Sequence, residues 1–184
     1  MKVVDGRLSA ARWCPSPNKN QRPPSSSAAL PEVSLLVIHN ISLPPGQFGT
    51  GCVERFFCND LQPHEHPYFE TIAELQVSSH LLIERSGDII QFVNFNERAW
   101  HAGQSCFAGR ENCNDFSIGI ELEGTDTEPY ADIQYDALIK TTHALIATYP
   151  EITNERITGH EHIAPGRKTD PGPAFDWSRY RARL

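Results

Sequence analysis

The stretch VSLLVIH at residues 33–39 decides the fold. It is an apolar, β-branched run, which predicts a buried strand. His39 ends the run, so a polar side chain is expected where this strand leaves the core. Strand ends and the loops that follow them build many active sites. From the residue alone, a functional histidine and a core histidine bonded to the backbone are equally supported.

The segments that follow this strand predict a mixed sheet. VSSHLLIER (77–85) and DIIQFVNF (88–95) flank an SGD turn signal and predict a β-hairpin, and FSIGIELEG (116–124) predicts another strand. Helices are expected at Cys52–Asn59, at Ile133–Tyr149 and at Trp177–Leu184. The predicted loops and coils are residues 15–32, 41–51 and 63–69. These elements indicate an α/β fold in which helices pack on a mixed central β-sheet.

The Ile133–Tyr149 segment predicts an amphipathic helix, which Pro150 ends. Its apolar positions are Ile133, Ala137, Leu138, Ala144, Leu145 and Ile146. The chain of 184 residues is long enough for one domain, expected to span residues 1–184 with a core at about 30–180.

Composition and charge narrow the function classes. The formal net charge is −7, which argues against a nucleic-acid partner. The longest apolar stretch, Leu35–Ile38, is too short for a signal-peptide core or a membrane span. We therefore expect a cytoplasmic protein with no membrane partner. Five cysteines without a CxxC pair predict free thiols in a reducing compartment.

Two acidic residues lie in the strand predicted at 116–124. Alternation places Glu121 and Glu123 on the face opposite Phe116, Ile118 and Ile120. A carboxylate near a strand end can act as a general base beside a metal-activated water. On pattern alone, two glutamates that face solvent are favoured.

The loop TGHEHIAPGRKTDPGPAF (158–175) groups His160, Lys168 and Asp170 among prolines and glycines. Two histidines and a carboxylate with an open fourth position form a catalytic zinc site, and a nearby cation can stabilise an oxyanion. The spacing is not that of a helical HExxH motif, so a solvated, charged surface loop remains an alternative interpretation. The HEH triplets at 64–66 and 160–162 can also bind metal, although an exposed HEH is more often simple surface.

Five segments together resemble the zinc-dependent N-acetylmuramoyl-L-alanine amidases of type 2. They are LLVIHN, VSSHLLI, RAWHAG, NDFSIGIELEG and TGHEHIAPGRKTDPGPAFDW, in order from about residue 30 to 180. The resemblance is strongest to the cytoplasmic branch that recycles 1,6-anhydro-muropeptides, and it implies the fold of peptidoglycan-recognition proteins. It also implies a link to β-lactamase induction, for which accumulated anhydro-muropeptides are signals.

The resemblance implies a role for each residue of the site. His39, His160 and Asp170 would hold one Zn²⁺ per chain, where several relatives use cysteine in place of the aspartate. Glu121 would be the general base, and Lys168 would stabilise the tetrahedral oxyanion. His162 would be a bystander. The bond cut would be the amide between the lactyl group of 1,6-anhydro-N-acetylmuramic acid and L-alanine of the stem peptide.

The substrate groove is also implied by the resemblance. Its residues would be Asn40, Tyr68, Ala99, Trp100 and His101, with Trp100 either stacked on a sugar or packed in the core. Relatives carry arginines at the positions of Gln76 and Asn112, which are neutral here, and Arg110 can compensate for them. The expected protein is a monomeric recycling amidase. A recognition-type binding module, a wall-lytic amidase and a structural domain are the alternatives.

Overall fold

A six-stranded mixed sheet organises the chain. The computed structural model describes residues 1–24 and 32–184. Its strands are β1 (Val3–Val4), β2 (Arg7–Leu8), β3 (Arg12–Trp13), β4 (Lys19–Gln21), β5 (Leu35–Ile41), β6 (Leu81–Ile83), β7 (Ile89–Gln91), β8 (Glu97–Ala99), β9 (Cys106–Phe107), β10 (Arg110–Glu111), β11 (Ser117–Glu123) and β12 (Ile157–Gly159). The main sheet has the order β12-β5-β11-β6-β7-β3, and only the β6–β7 pair in it is antiparallel.

Helices cover both faces of this sheet. They are α1 (Cys52–Phe57), α2 (Pro67–Ile72), α3 (Asp132–Thr148), α4 (His160–Ile163) and α5 (Trp177–Arg181), with 3-10 turns at Pro63–Glu65, Cys113–Asp115 and Asn154–Arg156. The α/β class, the hairpin and the helices expected near 52–59, 133–149 and 177–184 are confirmed. The loop expected at 63–69 is wrong at its end, because Pro67 begins α2 and the His66 side chain caps it.

The two faces of the sheet bury different groups. Leu36 and Ile38 of β5 join Ile118 and Ile120 of β11 in the larger apolar cluster, which also contains buried residues of α3. The opposite face of the same strands carries His39, Glu121 and Glu123. This alternation follows from the period of two in an extended strand.

Two expectations about exposure fail because of packing. The pattern favoured solvent-facing glutamates, yet Glu121 and Glu123 are only 8% and 4% exposed. A mainly parallel sheet is covered on both faces, so polar alternation in β11 does not mean exposure. In α3, Ile133 is 53% exposed, while Gln134 and Thr142, which the apolar pattern left out, are fully buried.

The N-terminal residues are tied to the sheet by a buried arginine. Part of the coil expected at 15–32 is strand β4, which pairs with β8, and residues 25–31 lie outside the described residues. Next to β4, the Arg22 guanidinium donates to the carbonyl oxygens of Phe95, Asn114, Asp115 and Ser117. Arg22 is 5% exposed, so these carbonyl groups replace water as its partners.

Two further expectations concern the state of the cysteines and the presence of membrane-spanning helices. All five cysteines are free thiols, as predicted. Within residues 1–24 and 32–184, no helix combines the length and apolar content that crossing a bilayer requires.

Candidate metal centre and active site

Three side chains meet where the parallel strands end. His39 is near the end of β5, and His160 follows β12 directly, at a level set by the pairing of Gly159 with Ile38. His39 Nδ1 lies 3.0 Å from His160 Nδ1, and each of these atoms is 3.0 Å from Asp170 Oδ2. Within the described residues, this is the one group of three or more metal-ligating side chains close enough to share an ion.

Backbone hydrogen bonds hold Asp170 against the two histidines. The amide of Glu161 donates to the carbonyl oxygen of Asp170 at 2.9 Å, which ties the loop to the first turn of α4. The amide of Lys168 donates to Ala164 at 3.1 Å. Gly166 supplies the turn between them with a φ of 76°. The carboxylate is thereby held beside His39, which lies 131 positions earlier in sequence.

The proton positions on His160 indicate that this triangle fits a cation. His160 Nε2 is 3.1 Å from the carbonyl oxygen of Ala102, which can only accept, so this nitrogen carries the proton. In the neutral imidazole, Nδ1 then directs a lone pair at Asp170 Oδ2. Two lone pairs at this distance repel each other unless a cation lies between them.

The spacing of the ligand atoms agrees with this fit. A tetrahedral zinc site with ligand distances of about 2.0–2.1 Å separates its ligand atoms by roughly 3.3 Å. The three ligand atoms here are each 3.0 Å apart. Two imidazoles and one carboxylate leave a fourth position for water or substrate, as catalytic zinc sites do.

Burial sets the charge states of the ligands. Desolvation, and then the neighbouring His160, lower the pKa of His39 to about 4. His39 is therefore neutral at pH 7 and has a lone pair available for a metal. Burial opposes ionisation of Asp170, but its close contacts with His160 and His39 outweigh burial, so the pKa of Asp170 lies well below its usual range.

Glu121 has an unpartnered carboxylate oxygen beside the triangle. Among the described residues, Glu121 Oε2 is the one buried side-chain oxygen or nitrogen without a hydrogen-bond partner. Burial, and then the charge of Asp170, raise the pKa of Glu121 well above its usual range. A carboxyl group with a raised pKa and a free oxygen is suited to exchange protons with a water or a substrate near neutral pH.

These groups line one pocket with a volume of about 400 Å³. The predicted site residues that line it are His39, Asn40, Tyr68, Trp100, His101, Glu121, His160, Lys168 and Asp170. Ala99 is not among its lining residues, because its side chain is fully buried in the apolar cluster beside α1 and α2. The backbone of Ala99 pairs with Lys19 of β4.

The predicted substrate-contacting residues differ in their exposure. Tyr68 is 40% exposed at the pocket edge. Trp100 is half-buried, and its Nε1 donates to Asn20 Oδ1 at 2.8 Å. Asn40 donates from Nδ2 to Asp126 Oδ1 and to the carbonyl oxygen of Pro171. Its amide oxygen is therefore the group left to accept from a ligand.

The sequence did not predict two features of the pocket lining, an apolar wall and an acidic residue. Phe56 of α1 and Ile72 and Leu75 around α2 line the pocket, and Leu75 is 51% exposed. A short helix was expected at α1, but its spacing did not show which face would meet a ligand. Asp126 was missed because it follows strand β11 in a turn with no pattern of its own.

Several other polar residues lie away from the pocket lining. His162 is 61% exposed in its side chain, and both histidines of the 64–66 triplet are on or beside a surface 3-10 turn. Gln76 and Asn112, the two neutral residues singled out in the sequence, border two separate depressions. The Arg110 side chain pairs with Glu32 and stacks on Phe116.

Comparison with known proteins agrees with this geometry. Residues 29–173 match the family described as N-acetylmuramoyl-L-alanine amidase. The 1,6-anhydro-N-acetylmuramyl-L-alanine amidase AmpD of Citrobacter freundii is 56% identical over 182 residues, which cover 99% of this chain and 94% of the relative. A crystal structure of a selenomethionine derivative of AmpD is 54% identical, with a TM-score of 0.94, and the match covers 100% of this chain and 99% of that one.

A more distant structure contains a ligand. It is the N-acetylmuramyl-L-alanine amidase AmiD from Escherichia coli, in complex with its substrate anhydro-N-acetylmuramic acid-L-Ala-D-γ-Glu-L-Lys. The two chains are 30% identical with a TM-score of 0.62, and the match covers 90% of this chain and 65% of that one.

Proposed function

The chain belongs to the N-acetylmuramoyl-L-alanine amidase family, and we propose that it is a zinc-dependent 1,6-anhydro-N-acetylmuramyl-L-alanine amidase. Its substrate is a soluble anhydro-muropeptide, and it acts as a monomer in cytoplasmic recycling of the cell wall. The bond cut joins the lactyl group to L-alanine. The observation that carries this proposal is the triangle of ligand atoms, each 3.0 Å apart, beside the unpartnered oxygen of Glu121.

His39, His160 and Asp170 hold the ion in this proposal. A bound zinc ion supplies Lewis acidity, which lowers the pKa of water to about 7 and polarises a carbonyl oxygen. Two neutral imidazoles and one carboxylate leave the ion with a net positive charge. The burial of both histidines keeps bulk water from competing for these ligands.

Glu121 moves the proton. Its carboxylate accepts a proton from the attacking water as the water oxygen bonds to the lactyl carbonyl carbon. The same carboxyl group then donates that proton to the alanine nitrogen as the C–N bond breaks. The raised pKa of Glu121 favours this exchange at neutral pH, because acceptor and donor forms are then closer in free energy.

Lys168 stabilises the charge that develops on the carbonyl oxygen. It lines the pocket near the triangle, and its positive charge acts on both His39 and Glu121. A preorganised cation at such a position contributes to the rate without forming a covalent bond. Because water is the nucleophile in this proposal, the reaction needs no acyl-enzyme intermediate.

The remaining pocket residues are suited to bind sugar and peptide. Trp100 and Tyr68 present aromatic rings at the pocket, and the Asn40 amide oxygen can accept from a peptide N–H. Leu75 and Phe56 extend an apolar wall on the α1–α2 side. Because Gln76 and Asn112 are neutral, recognition of the stem-peptide carboxylates depends on other groups.

The decisive assay uses purified protein and 1,6-anhydro-N-acetylmuramyl-tripeptide, with mass spectrometry of the products. Free tripeptide should appear, a chelator should stop its release, and added Zn²⁺ should restore it. Release that persists in metal-free protein would refute the metal dependence. Intact sacculi run in parallel separate this proposal from a wall-lytic amidase, which would release peptide from them as well.

A cellular consequence follows from the same proposal. Loss of the enzyme should let anhydro-muropeptides accumulate in the cytoplasm. In a host with an inducible β-lactamase, we expect higher β-lactamase activity in the deletion strain, and complementation with a Glu121→Ala gene should not reverse it.

A further inference from the structure

A line of hydrogen bonds extends from His39 away from the metal-binding triangle. His39 Nε2 lies 2.9 Å from His101 Nδ1, and the two rings meet edge to face with an interplanar angle of 86°. On its other side, His101 Nε2 lies 3.1 Å from Ser117 Oγ. Ser117 is fully buried at the start of β11.

A metal at the triangle would fix which atom donates and which accepts in each of these hydrogen bonds. A metal on His39 Nδ1 leaves the neutral imidazole with its proton on Nε2, which then donates to His101 Nδ1. The neutral His101 ring must therefore carry its own proton on Nε2. That N–H donates to Ser117 Oγ, whose hydroxyl accepts it.

The fold is shaped to hold the His101 ring in this position. A Cβ atom at Gly119 would lie 2.5 Å from His101 Cγ, so the ring occupies space that only glycine leaves free. Gly119 and Ser117 lie on the same face of β11. Gly119 lies against the His101 ring, and the Ser117 hydroxyl lies at the ring edge, beside Nε2. The backbone amide of His101 donates to Asn114 Oδ1 at 3.1 Å, which fixes the loop that carries it.

We propose that His101 and Ser117 are positioning residues for the metal ligand His39. They set which nitrogen of His39 faces the ion, and they hold its ring in place for binding. The inference rests on the proposed function, since it needs an ion at His39, His160 and Asp170. His160 has a counterpart in the carbonyl oxygen of Ala102, so both histidine ligands have a fixed outer partner.

The test compares Zn²⁺ affinities of the full-length, metal-stripped chain by competition with a chromogenic chelator. His101→Phe keeps an aromatic ring but removes both nitrogens, and we expect affinity to fall by about 10- to 100-fold, as for other outer partners of histidine ligands. Ser117→Ala should weaken binding in the same direction and by less. Ser79→Ala is the matched control, because its buried hydroxyl bonds, among the residues that the structure describes, only to the Gly119 carbonyl, and the Zn²⁺ affinity of this variant should not change.

A second measurement needs no variant. Long-range ¹H–¹⁵N NMR of the zinc-loaded wild type should show His39 and His101 both protonated on Nε2. The metal alone accounts for the His39 tautomer, so the His101 tautomer is the discriminating signal, and a merely structural role for His101 would not fix it. This readout also keeps the inference testable if His101→Phe does not fold.

Each outcome separates the inference from the function on which it rests. A wild-type chain that binds no Zn²⁺ would overturn the proposed function itself. Tight wild-type binding with unchanged affinity in His101→Phe, or His101 protonated on Nδ1, would overturn the positioning role alone. Weaker binding in His101→Phe but not in Ser117→Ala would remove Ser117 from it.

Discussion

Glu121 and His39 are register partners on the adjacent parallel strands β11 and β5. Paired residues on parallel strands present their side chains to the same face of the sheet. The proposed base and the first metal ligand therefore owe their proximity to backbone hydrogen bonds and not to a flexible loop. A shift of either strand by one residue would turn its side chain to the opposite, apolar face.

Glu121→Gln should separate activity from stability. The amide cannot accept the proton of water, so we expect the rate of hydrolysis to fall by about 10²- to 10⁴-fold with Zn²⁺ still bound. In metal-free protein the variant should unfold at a higher temperature at pH 7, by roughly 2–4 °C for about 1 kcal/mol. Thermal unfolding with chelator present, and hydrolysis rates with metal, measure the two effects.

The sign of the stability effect depends on pH. Because the pKa of Glu121 is raised in the folded state, its stabilising contribution is present below the unfolded pKa of about 4.3 and is lost as pH rises through the folded pKa. The advantage of Glu121→Gln should thus be larger at pH 8 than at pH 5. Glu123→Gln is the control, since Glu123 accepts from the amides of Gly49 and Arg85 and should lose stability when neutralised.

Lys168→Ala should reduce kcat by about 10²- to 10³-fold, because a group that stabilises the oxyanion acts mainly in the transition state. The exposed position of Lys168 predicts an unchanged unfolding temperature. Steady-state kinetics on the anhydro-muropeptide test this. Lys140→Ala, at an exposed position of α3, should retain the wild-type rate. Equal rates in both variants would exclude the role of Lys168.

Gly172→Ala should disturb the loop that carries Asp170. Gly172 has a φ of 77°, and a Cβ there would overlap Cα and Cβ of Asp126. We expect the free energy of unfolding to fall by about 1–3 kcal/mol and Zn²⁺ binding to weaken. Gly166→Ala separates the two causes, since Gly166 has a φ of 76° and open space around its Cβ. Equal losses in both variants would show that backbone strain, and not the clash, dominates.

Acid should destabilise the metal-free protein through buried neutral histidines. Burial, and then the charge of Arg22, lower the pKa of His80 well below its usual range. Its stabilising contribution is therefore present above the unfolded pKa of about 6.5 and is lost as pH falls below that value. Denaturant unfolding at pH 7 and pH 5, with chelator present, should show this decline.

His80→Asn tests the assignment to one residue. The asparagine oxygen can still accept from the Gly119 amide, as His80 Nδ1 does at 3.0 Å. The variant should be less stable at pH 7, because it loses part of the buried ring, but its decline with acid should be shallower by up to about 1.4 kcal/mol per pH unit. An unchanged slope would assign the acid sensitivity to other groups.

Long periodic segments could be predicted from the sequence because their patterns are local. Residue periodicity predicted α3 and the faces of the strand around Glu121, whereas an apolar, β-branched run predicted the strand before His39 and an SGD turn signal predicted the hairpin. Strands β3 and β4 were missed, since two or three residues such as Arg12–Trp13 are too few to show a period. Their pairing depends on neighbours that are distant in sequence, and periodicity does not record those contacts.

The site was only partly readable from the residues alone. The residue types grouped in the 158–175 loop suggested His160 and Asp170 as metal ligands, but they did not join them to His39, which lies more than a hundred residues earlier. Only the family resemblance grouped these residues. The pattern favoured an exposed Glu121, yet this residue is buried. Burial in a covered parallel sheet depends on the layers that pack on the sheet and not on the strand's own sequence.

The Arg22 anchor bears on how this polypeptide can be shortened for biochemical work. The region matched by the family begins at residue 29, yet Arg22 supplies the hydrogen-bond donors for four backbone carbonyl groups around the start of β11. A truncation at the family boundary would remove these donors next to Ser117, at the far end of the His39 hydrogen-bond line. The region that the family match covers is thus shorter than the region that contributes to folding, and a truncated version for expression should keep Arg22.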